Sequence, residues 1–487
     1  MSNITPNVPR FPQNYCEETV SELASRIAAG ESCTLIGLPG MGQGTLLSYL
    51  CSQENVLEAY LGDASHAIFL IEVDLNHLPN GRLVTFYQLI LRSLYTARKR
   101  FGKKLGRQIK KVYEENGRSR DVFWVQSSLQ ALLLKVKEHA LRIVLVFKHF
   151  DHFCKITTSQ MGYTLHGLRD SFKGTLSFLV GLRQEVRFLA DSDKLGPFYG
   201  PLDANTCWVR PLNKHDAQEM IIRLTDKSIG ETEIDHMLTL TAGCPGLLRV
   251  VCRWWLDEFN QLQSQENANQ TNSSVIDRFP LDKWEPTLMQ RTSTAYRLEK
   301  IWASLTQEEQ FVLRELYQLQ SIKNKKKREK SLSALNSTTL KGLLQKGLCH
   351  FNNNDWAIAG RLLQNFLADV VGQGRGRIWK NAKTGEIFQG DKLIKLPPLE
   401  TSILSYLIQS PYQRHTHTDL IEVAWSEDAI YREGKPTEAL YQVVRGIRKA
   451  IEPEDGKPVY LQTWRGRPEG GYQFFPEGRP DIAKEGN

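Results

Sequence analysis

A glycine-rich turn near the N-terminus has the residue types and spacing of a phosphate-binding loop. It follows the apolar stretch Cys33–Ile36 and contains Gly37, Gly40, Gly42 and Gly44. Glycines let backbone N–H groups approach phosphate oxygens, and the N-terminus of a following helix adds positive potential. In the pattern G-x-x-x-x-G-K-[ST], Gly37 and Gly42 match. The spacing therefore predicts a loop that cradles phosphate through its backbone.

The two chemical side chains of that pattern are replaced. Gln43 stands where the lysine is expected, and Gly44 stands where the Mg²⁺-binding hydroxyl is expected. Thr45 comes one residue late for that role. We therefore expect any nucleotide, ATP or ADP, to bind weakly, through the backbone N–H groups of Gly40–Gly44.

Nucleotide hydrolases that carry this loop pattern have a second site, an acidic pair at the end of a strand that binds Mg²⁺ and polarises water. This second site is also changed. The apolar stretch Ile143–Phe147 runs into Lys148 and His149, where Asp and Glu are expected, and Asp151 lies further on. Loss at both sites predicts a protein without catalytic residues that does not hydrolyse nucleotide. The alternative is an α/β scaffold whose glycine turn binds nothing.

The predicted strands and helices around these residues indicate an α/β domain. Apolar stretches at 67–74, 143–147 and 185–190 predict buried strands, and 16–29 and 84–101 predict helices between and before them. Continuous apolar strands that alternate with helices indicate a parallel sheet covered on both faces. Ligands of such sheets bind at the carboxyl ends of the strands, where the glycine loop lies.

Two further motifs complete a family resemblance. A hydrophobic–Pro-Leu–polar–helix pattern spans 208–220, with Asn213 as a predicted helix N-cap, and Gly243-Cys244-Pro245 breaks a later helix pattern. Together with the loop, residues 16–262 resemble the STAND/AAA-like P-loop NTPases. The resemblance implies a helical lid that begins near 211 and places Pro245 near a bound nucleotide.

A middle segment has the order helix, helix, hairpin. Thr306 and Glu309 form a predicted capping box for the first helix, 337–346 predicts the second, and 348–358 predicts the hairpin. This is the order of a winged helix. The basic stretch 323–330 is either a phosphate contact or a solvated loop.

The C-terminal segment carries the most specific motifs. Leu-x-x-Leu-Glu ends at Glu400, Leu-x-x-x-x-Trp ends at Trp425, and Ile-Arg-Lys ends at Lys449. A closing Gln-Thr-x-Arg-Gly…Gly-Tyr-x-Phe spans 462–474, with about three extra residues near its tip. Residues 375–476 closely resemble the OmpR/PhoB-type winged-helix DNA-binding domain. A winged helix used for protein contacts is the alternative.

The helix predicted over Pro436–Ile451 is the expected DNA-reading element. Its apolar residues share one face, so the polar ones are free to enter a major groove. The expected DNA contacts on this helix are Tyr441, Gln442, Arg445, Arg448 and Lys449. Arg465 and Arg467 are expected on the wing, where they meet the minor groove or phosphates.

The predicted fold class is α/β: a parallel-sheet P-loop NTPase domain with a helical lid, followed by two winged-helix modules. A chain of 487 residues is too long for one hydrophobic core. The predicted segments are an extended N-terminus (1–15), the NTPase-like domain (16–210), the lid (211–262), a linker (263–300), the middle module (301–372), the DNA-binding domain (373–476) and a tail (477–487).

Composition limits the partners. The net charge of +8 is compatible with nucleic acid without proving it, and eight scattered cysteines with no C-x-x-C pair argue against zinc or any other metal cluster. With no apolar run of membrane-spanning length and no signal-peptide pattern at the start, we expect a cytoplasmic protein without a membrane partner. The expected partners are double-stranded DNA, further copies of the chain and an upstream signalling protein.

Two classes of function fit these features. The first is a transcription regulator in which the STAND-like domain senses a nucleotide or a partner and controls the winged helix. The second is a defence- or mobile-element-associated NTPase that assembles on DNA. No nuclease-like or protease-like stretch is recognisable in the sequence, and this favours the regulator.

Overall fold

The computed structural model describes residues 11–479 except 13, 53–55, 190–191, 226–228, 270–279, 321–327, 329–331, 334, 353–354, 371–376, 382–383, 390–391, 426–435, 454–457, 467–468 and 477. The chain forms two compact units, Met1–Gln364 and Asn365–Asn487. Among the described residues, no helix combines the length and the apolar character needed to span a membrane.

The first unit begins with an α/β domain. Its strands are β1 (Cys33–Ile36), β2 (Ile68–Asp74), β3 (Arg142–Lys148), β4 (Leu176–Leu182) and β5 (Thr206–Trp208). Its helices are α1 (Glu17–Ala28), α2 (Gln43–Ser52), α3 (Glu58–Leu61), α4 (Leu83–Ala97), α5 (Gly102–Asn116), α6 (Val122–Glu138), α7 (Phe150–Ile156), α8 (Ser159–Ser171) and α9 (Tyr199–Ala204). Short 3-10 turns lie at Gly62–Ala67, Leu75–His77, Arg98–Phe101, Val186–Phe188 and Ser192–Phe198.

The five strands form one parallel sheet in the order β2-β3-β4-β1-β5. All residues of β1 and β4 are buried, and helices such as α4 and α6 contribute to the same apolar core. The predicted α/β class with a parallel sheet covered by helices is confirmed. Because β1 lies between β4 and β5, the loop that follows β1 is at the carboxyl edge of neighbouring strands, as a ligand site of this fold requires.

One predicted strand is wrong. The stretch 185–190 contains the 3-10 turn Val186–Phe188, and the fourth strand is instead Leu176–Leu182. A serine and a glycine interrupt the apolar pattern of this strand, yet both faces are covered, so its tertiary surroundings decide its conformation.

The lid consists of α10 (Lys214–Leu224), α11 (Glu231–Thr241) and α12 (Pro245–Asn269). The side chain of Asn213 accepts a hydrogen bond from the N–H of Asp216 at 2.8 Å, which confirms the predicted N-cap. Gly243 has φ +75°, and a Cβ there would lie 2.3 Å from the carbonyl oxygen of Leu212. Only glycine therefore fits this helix break.

The range predicted as a linker, 263–300, needs correction. It contains α13 (Leu281–Met289) and most of α14 (Thr292–Ala303). These helices form because Trp284, Leu288, Leu298 and Ile301 are buried, which the polar composition around 263–278 did not indicate.

The middle module has the predicted order. Helices α15 (Gln307–Gln320) and α16 (Ser337–Gln345) precede the antiparallel hairpin of β6 (Cys349–Asn352) and β7 (Asp355–Ile358). The capping box is present, since Thr306 N–H donates to Glu309 at 3.0 Å and Glu309 N–H donates to Thr306 Oγ1 at 3.2 Å. The basic stretch 323–330 lies outside the described residues except for Arg328, which pairs with Asp355 at 2.7 Å.

The remaining elements begin with α17 (Arg361–Val370) and continue through the second unit. Strands β8 (Ile378–Lys380), β9 (Ile387–Gln389) and β10 (Lys392–Ile394) form a three-stranded sheet in the order β10-β9-β8. Next come α18 (Pro398–Gln409), β11 (Arg414–Thr416), α19 (His417–Ala424), α20 (Pro436–Ile451), β12 (Leu461–Trp464) and β13 (Gly471–Phe474). β13 pairs antiparallel with both β11 and β12. Three helices and a closing hairpin around one core confirm the predicted winged helix.

Candidate functional site

The glycine loop joins the end of β1 to the start of α2. Gly40 and Gly42 have φ angles of +88° and +84°, a conformation that side chains other than glycine rarely adopt. The N–H of Gly246, in the first turn of α12, donates to the carbonyl oxygen of Gly40 at 2.8 Å. The lid thus contacts the loop directly, backbone to backbone.

Gln43 has a different role from that of a phosphate-binding lysine. Its Nε2 donates to the carbonyl oxygen of Leu35 at 2.6 Å and also to that of Leu182. These carbonyls lie near the ends of β1 and β4. The amide of Gln43 therefore fastens the start of α2 to the edge of the sheet.

Lys148 occupies the end of β3, where an acidic residue is expected. Its Nζ donates to the hydroxyl of Ser48 on α2 at 2.9 Å and to the carboxylate of Glu72 on β2 at 3.0 Å. The Lys148 side chain, which is 15% exposed, thus links the helix after the loop to two strands. A positive charge at this position disfavours a divalent cation.

His149 and Asp151 do not replace the missing acidic pair. His149 has φ +59° and lies 4.0 Å from Asp74. The carboxylate of Asp151 accepts a hydrogen bond from the N–H of Arg183 at 3.1 Å, and burial raises the pKa of this carboxyl group. Asp151 is therefore tied to the end of β4.

Two adjoining cavities share Gly40, Gly42, Gly44, Thr45 and Arg297 in their walls. One, of about 660 Å³, also has Pro245 and a set of aromatic and apolar side chains that includes Phe11, Tyr15, Met220 and Leu224. The other, of about 530 Å³, contains Gly37 and Gln43 and a set of charged side chains, namely Lys148, Asp151, Arg183, Arg297 and Lys300. The structure thus brings together all seven residues predicted from the glycine loop and the Gly-x-Pro motif.

Several lining residues escaped the sequence reasoning. Phe11 and Tyr15 form an aromatic cluster with Tyr49 on α2, with ring centroids 4.9–5.3 Å apart. Burial raises the pKa of the Tyr15 hydroxyl. Arg297 belongs to the range predicted as a linker, and Arg183 follows the strand that was missed. No local pattern marks these residues, because the fold alone brings them to the loop.

The second candidate site is the exposed face of α20. Its apolar face is buried through Leu440, Val444, Ile447 and Ile451. The opposite face exposes Tyr441, Gln442, Arg445 and Lys449. The ring of Tyr441 packs edge-on against His417 on α19, with centroids 5.5 Å apart. The helix therefore presents an aromatic, an amide and two cationic groups to solvent.

Arg448 differs from its neighbours on α20. Its Nε and Nη2 both donate to the carbonyl oxygen of Leu461, at 3.0 and 2.7 Å, and Nη2 also donates to Thr463 Oγ1 at 2.8 Å. The guanidinium also lies over the ring of Tyr472, 5.5 Å from its centroid. The sequence assigned Arg448 to DNA, but in the structure it holds the helix against the hairpin.

Glu452, which the sequence reasoning missed, acts beside Arg448. Its carboxylate accepts hydrogen bonds from the N–H groups of Val459, Tyr460 and Leu461, at 2.6 to 3.1 Å. This joins the end of α20 to the start of β12.

The wing is the hairpin of β12 and β13. Arg465 follows β12 and is exposed, whereas Arg467 lies outside the described residues. Near the tip, the carboxylate of Glu469 accepts hydrogen bonds from the N–H of Thr418 at 2.9 Å and from its hydroxyl. The altered tip is thus fastened to the first turn of α19.

The comparison with protein families decides the identity of this unit. Residues 390–474 match the family model described as "Transcriptional regulatory protein, C terminal". The C-terminal unit is an OmpR/PhoB-type DNA-binding domain. The match begins before β10 and ends at the last residue of β13, so it includes α20 and the wing. No curated protein matches the chain.

Solved structures resemble parts of the chain. A Walker-type ATPase of Pyrococcus abyssi is 16% identical over 72% of this chain and 95% of its own, with a TM-score of 0.41. The ORC2 protein of Aeropyrum pernix in its ADP form is 14% identical over 75% and 94%, with a TM-score of 0.39. The response regulator DrrB, a Thermotoga maritima OmpR/PhoB homolog, is 25% identical over 28% and 61%, with a TM-score of 0.18.

Within the described part of the chain, no group of three or more His, Cys, Asp or Glu side chains is placed to hold a metal ion. The eight cysteines are all free thiols.

Proposed function

We propose that this protein is a transcription regulator that binds double-stranded DNA through α20 and the wing, under the control of its P-loop-like domain. The observation that carries the proposal is the exposed face of α20, with Tyr441, Gln442, Arg445 and Lys449 in a domain of the DNA-binding family. Amide and guanidinium groups on a major-groove helix hydrogen-bond to base edges, and lysine binds phosphates.

We assign separate roles to these residues. Arg445 and Gln442 read base edges, Lys449 and Arg465 neutralise phosphates, and Tyr441 packs against a sugar or base while resting on His417. Arg448 positions the helix rather than reading DNA, because its Nε and Nη2 are engaged by the hairpin. Arg467 remains a predicted phosphate contact.

The P-loop-like domain acts in this proposal as a sensor without hydrolysis. Gln43 is bonded to the strand ends, and Lys148 replaces a carboxylate with an ammonium group. Neither arrangement positions a metal ion or an attacking water. A nucleotide or a partner protein that binds at the glycine loop changes the loop–lid contact between Gly40 and Gly246. This change is the proposed signal that controls DNA binding.

The proposal includes a homo-oligomer. A two-fold assembly would place two DNA-binding units on neighbouring half-sites and raise affinity by effective concentration. An upstream signalling protein that binds the P-loop-like domain is the second candidate for the source of the signal.

Genome-wide mapping of the DNA bound by the tagged protein tests the proposal. Fragments enriched in that experiment are then titrated against the full chain by fluorescence anisotropy at several salt concentrations. We expect specific binding that weakens steeply with salt, because phosphate neutralisation releases counterions. Arg445→Ala should lower specific binding by about 1–3 kcal/mol per base pair read. If the full chain ignores DNA at low salt, the unit is a protein-interaction domain and the proposal fails.

A further inference from the structure

The charge of the 530 Å³ cavity beside the glycine loop is unusual for a site built around a metal-bound phosphate. Its wall contains four cationic side chains from three elements: Lys148 at the end of β3, Arg183 after β4, and Arg297 and Lys300 on α14. Asp151 is the one carboxylate among its lining residues. The described wall is therefore strongly positive without any added ion.

Lys148 stands at the strand end where a Mg²⁺-binding carboxylate is expected, so its positive charge bears on how the cavity binds phosphate. In sites of the resembled family, the carboxylate at this strand end binds Mg²⁺, which in turn neutralises the phosphates. Here Glu72 partly balances the ammonium group at 3.0 Å, while Arg183, Arg297 and Lys300 are exposed at the cavity wall. These cations can meet phosphate oxygens directly, and together they repel a divalent cation.

The neighbouring cavity of about 660 Å³ adds a second feature. It shares the glycine loop, and its wall combines Phe11, Tyr15, Met220, Leu224 and Pro245 with the cationic side chains of Arg223 and Arg249. Flat apolar groups bind against the aromatic and apolar side chains of such a wall. A ligand that fills both cavities has an anionic part on one side of the loop and a planar apolar part on the other.

We propose that the loop binds a nucleoside polyphosphate in its metal-free form, with Lys148, Arg183, Arg297 and Lys300 in place of Mg²⁺. This inference rests on the proposed sensory role of the P-loop-like domain. It also names the ligand class of that site. Backbone N–H groups of the loop and the N-terminus of α2 contribute the remaining contacts.

Calorimetric titration of the full chain with ATP and with ADP, each in EDTA and in Mg²⁺, tests the proposal. We expect binding in EDTA that Mg²⁺ leaves unchanged or weakens, because the metal ion neutralises the phosphates that the cations bind. Inorganic tripolyphosphate is the third probe. It should bind more weakly than ATP, since it has no planar group to cover the aromatic and apolar side chains of the 660 Å³ cavity. Equal or tighter binding would show that the ligand is a free polyphosphate and would overturn the nucleotide assignment.

The matched variants change the same number of charges. Arg297→Ala with Lys300→Ala should weaken ATP binding roughly ten-fold or more. Lys103→Ala with Lys104→Ala, at exposed positions of α5, should leave it unchanged. An equal loss of ATP affinity in both double variants would show that only the net charge of the protein matters, and this would overturn the proposed site.

Two further results would overturn the proposal: ATP binding that Mg²⁺ strengthens ten-fold or more, or no ATP and ADP binding in EDTA. DNA titrations on the same preparations separate this failure from failure of the proposed function. Intact specific DNA binding without metal-free nucleotide binding would defeat only the inference about the ligand.

Discussion

Arg448 on α20 and Glu452, the residue that follows the helix, both bond to the same residue of the hairpin. Nη2 of Arg448 donates to the carbonyl oxygen of Leu461 at 2.7 Å, and the carboxylate of Glu452 accepts from its N–H at 2.9 Å. Both bonds involve a charged group, so they are stronger than bonds between neutral groups. Two charged side chains at the C-terminal end of α20 therefore hold the helix against the hairpin.

Arg448→Ala should destabilise the C-terminal unit, whereas Lys449→Ala should not. Loss of charge-assisted hydrogen bonds costs about 1.5–3 kcal/mol, and an exposed substitution costs within about 0.5 kcal/mol. Urea unfolding of the fragment 365–487, which has its own core, measures both. Unchanged stability of Arg448→Ala with lost DNA binding would instead return Arg448 to the set of direct DNA contacts.

The contrast between α20 and its partners shows what a sequence can predict. The helix bounds Pro436–Ile451 were predicted correctly, because its apolar residues recur at helical spacing and the motif around it is specific. The role of Arg448 was not predicted, since its hydrogen-bond partners lie 13 and 15 residues away in another element. Periodicity identifies a face but not what that face contacts.

Periodicity also does not fully predict which residues of the C-terminal unit lie in its core. Leu399, a large apolar residue, is 40% exposed, and Trp425 is only partly buried, whereas Tyr460 and Tyr472, which carry polar hydroxyl groups, are core residues. The cavity walls were still harder to predict. The glycine spacing is local and readable, but Arg183, Arg297 and Lys300 reach the loop only through the folding of β4 and α14.

Gly246→Ala should disturb the lid, and Gly44→Ala is its control. A Cβ on Gly246 would lie 2.9 Å from the Cα of Gly40, so the start of α12 must move away from the loop. A Cβ on Gly44 meets nothing within 4 Å, and alanine there favours the helix by roughly 0.5–1 kcal/mol. Thermal unfolding of the full chain should show a lower midpoint for the first variant only. Equal midpoints would mean that the loop–lid contact contributes nothing to stability.

The ion pair of Glu309 with Lys346 should be costly to break. Both side chains are at most 10% exposed, and the Lys346 ammonium also lies 5.2 Å from the ring centroid of Trp208. Glu309→Leu leaves a buried lysine unpaired and should cost about 3–5 kcal/mol. Adding Lys346→Met should recover most of that loss, because a well-packed apolar pair replaces the ions. A double variant as unstable as the single one would show that packing, or the lost hydrogen bond from the Thr306 N–H, rather than charge is responsible.

Asp151→Asn should tighten ATP binding in EDTA and flatten its dependence on pH. Burial raises the pKa of this carboxyl group, so as pH increases through that raised pKa the cavity gains a negative charge and anion binding weakens. Asparagine removes this step, whereas any contribution from the nearby His149 remains in both proteins. Titrations across the acidic range should show the two affinities converging at low pH. A constant ratio at every pH would rule out titration of Asp151.

Restoring the loop side chains should not restore an ATPase. In Gln43→Lys with Gly44→Thr, a lysine and a hydroxyl can again meet phosphate and Mg²⁺, so we expect tighter nucleotide binding. Turnover should still stay far below about 1 per second, because Lys148 and His149 leave no acidic pair at the end of β3. Steady-state phosphate release from the full chain measures this, with Gly42→Asp in the same background as the loop-disrupted control. Ordinary turnover that this control abolishes would show that Gln43 and Gly44 alone suppress hydrolysis.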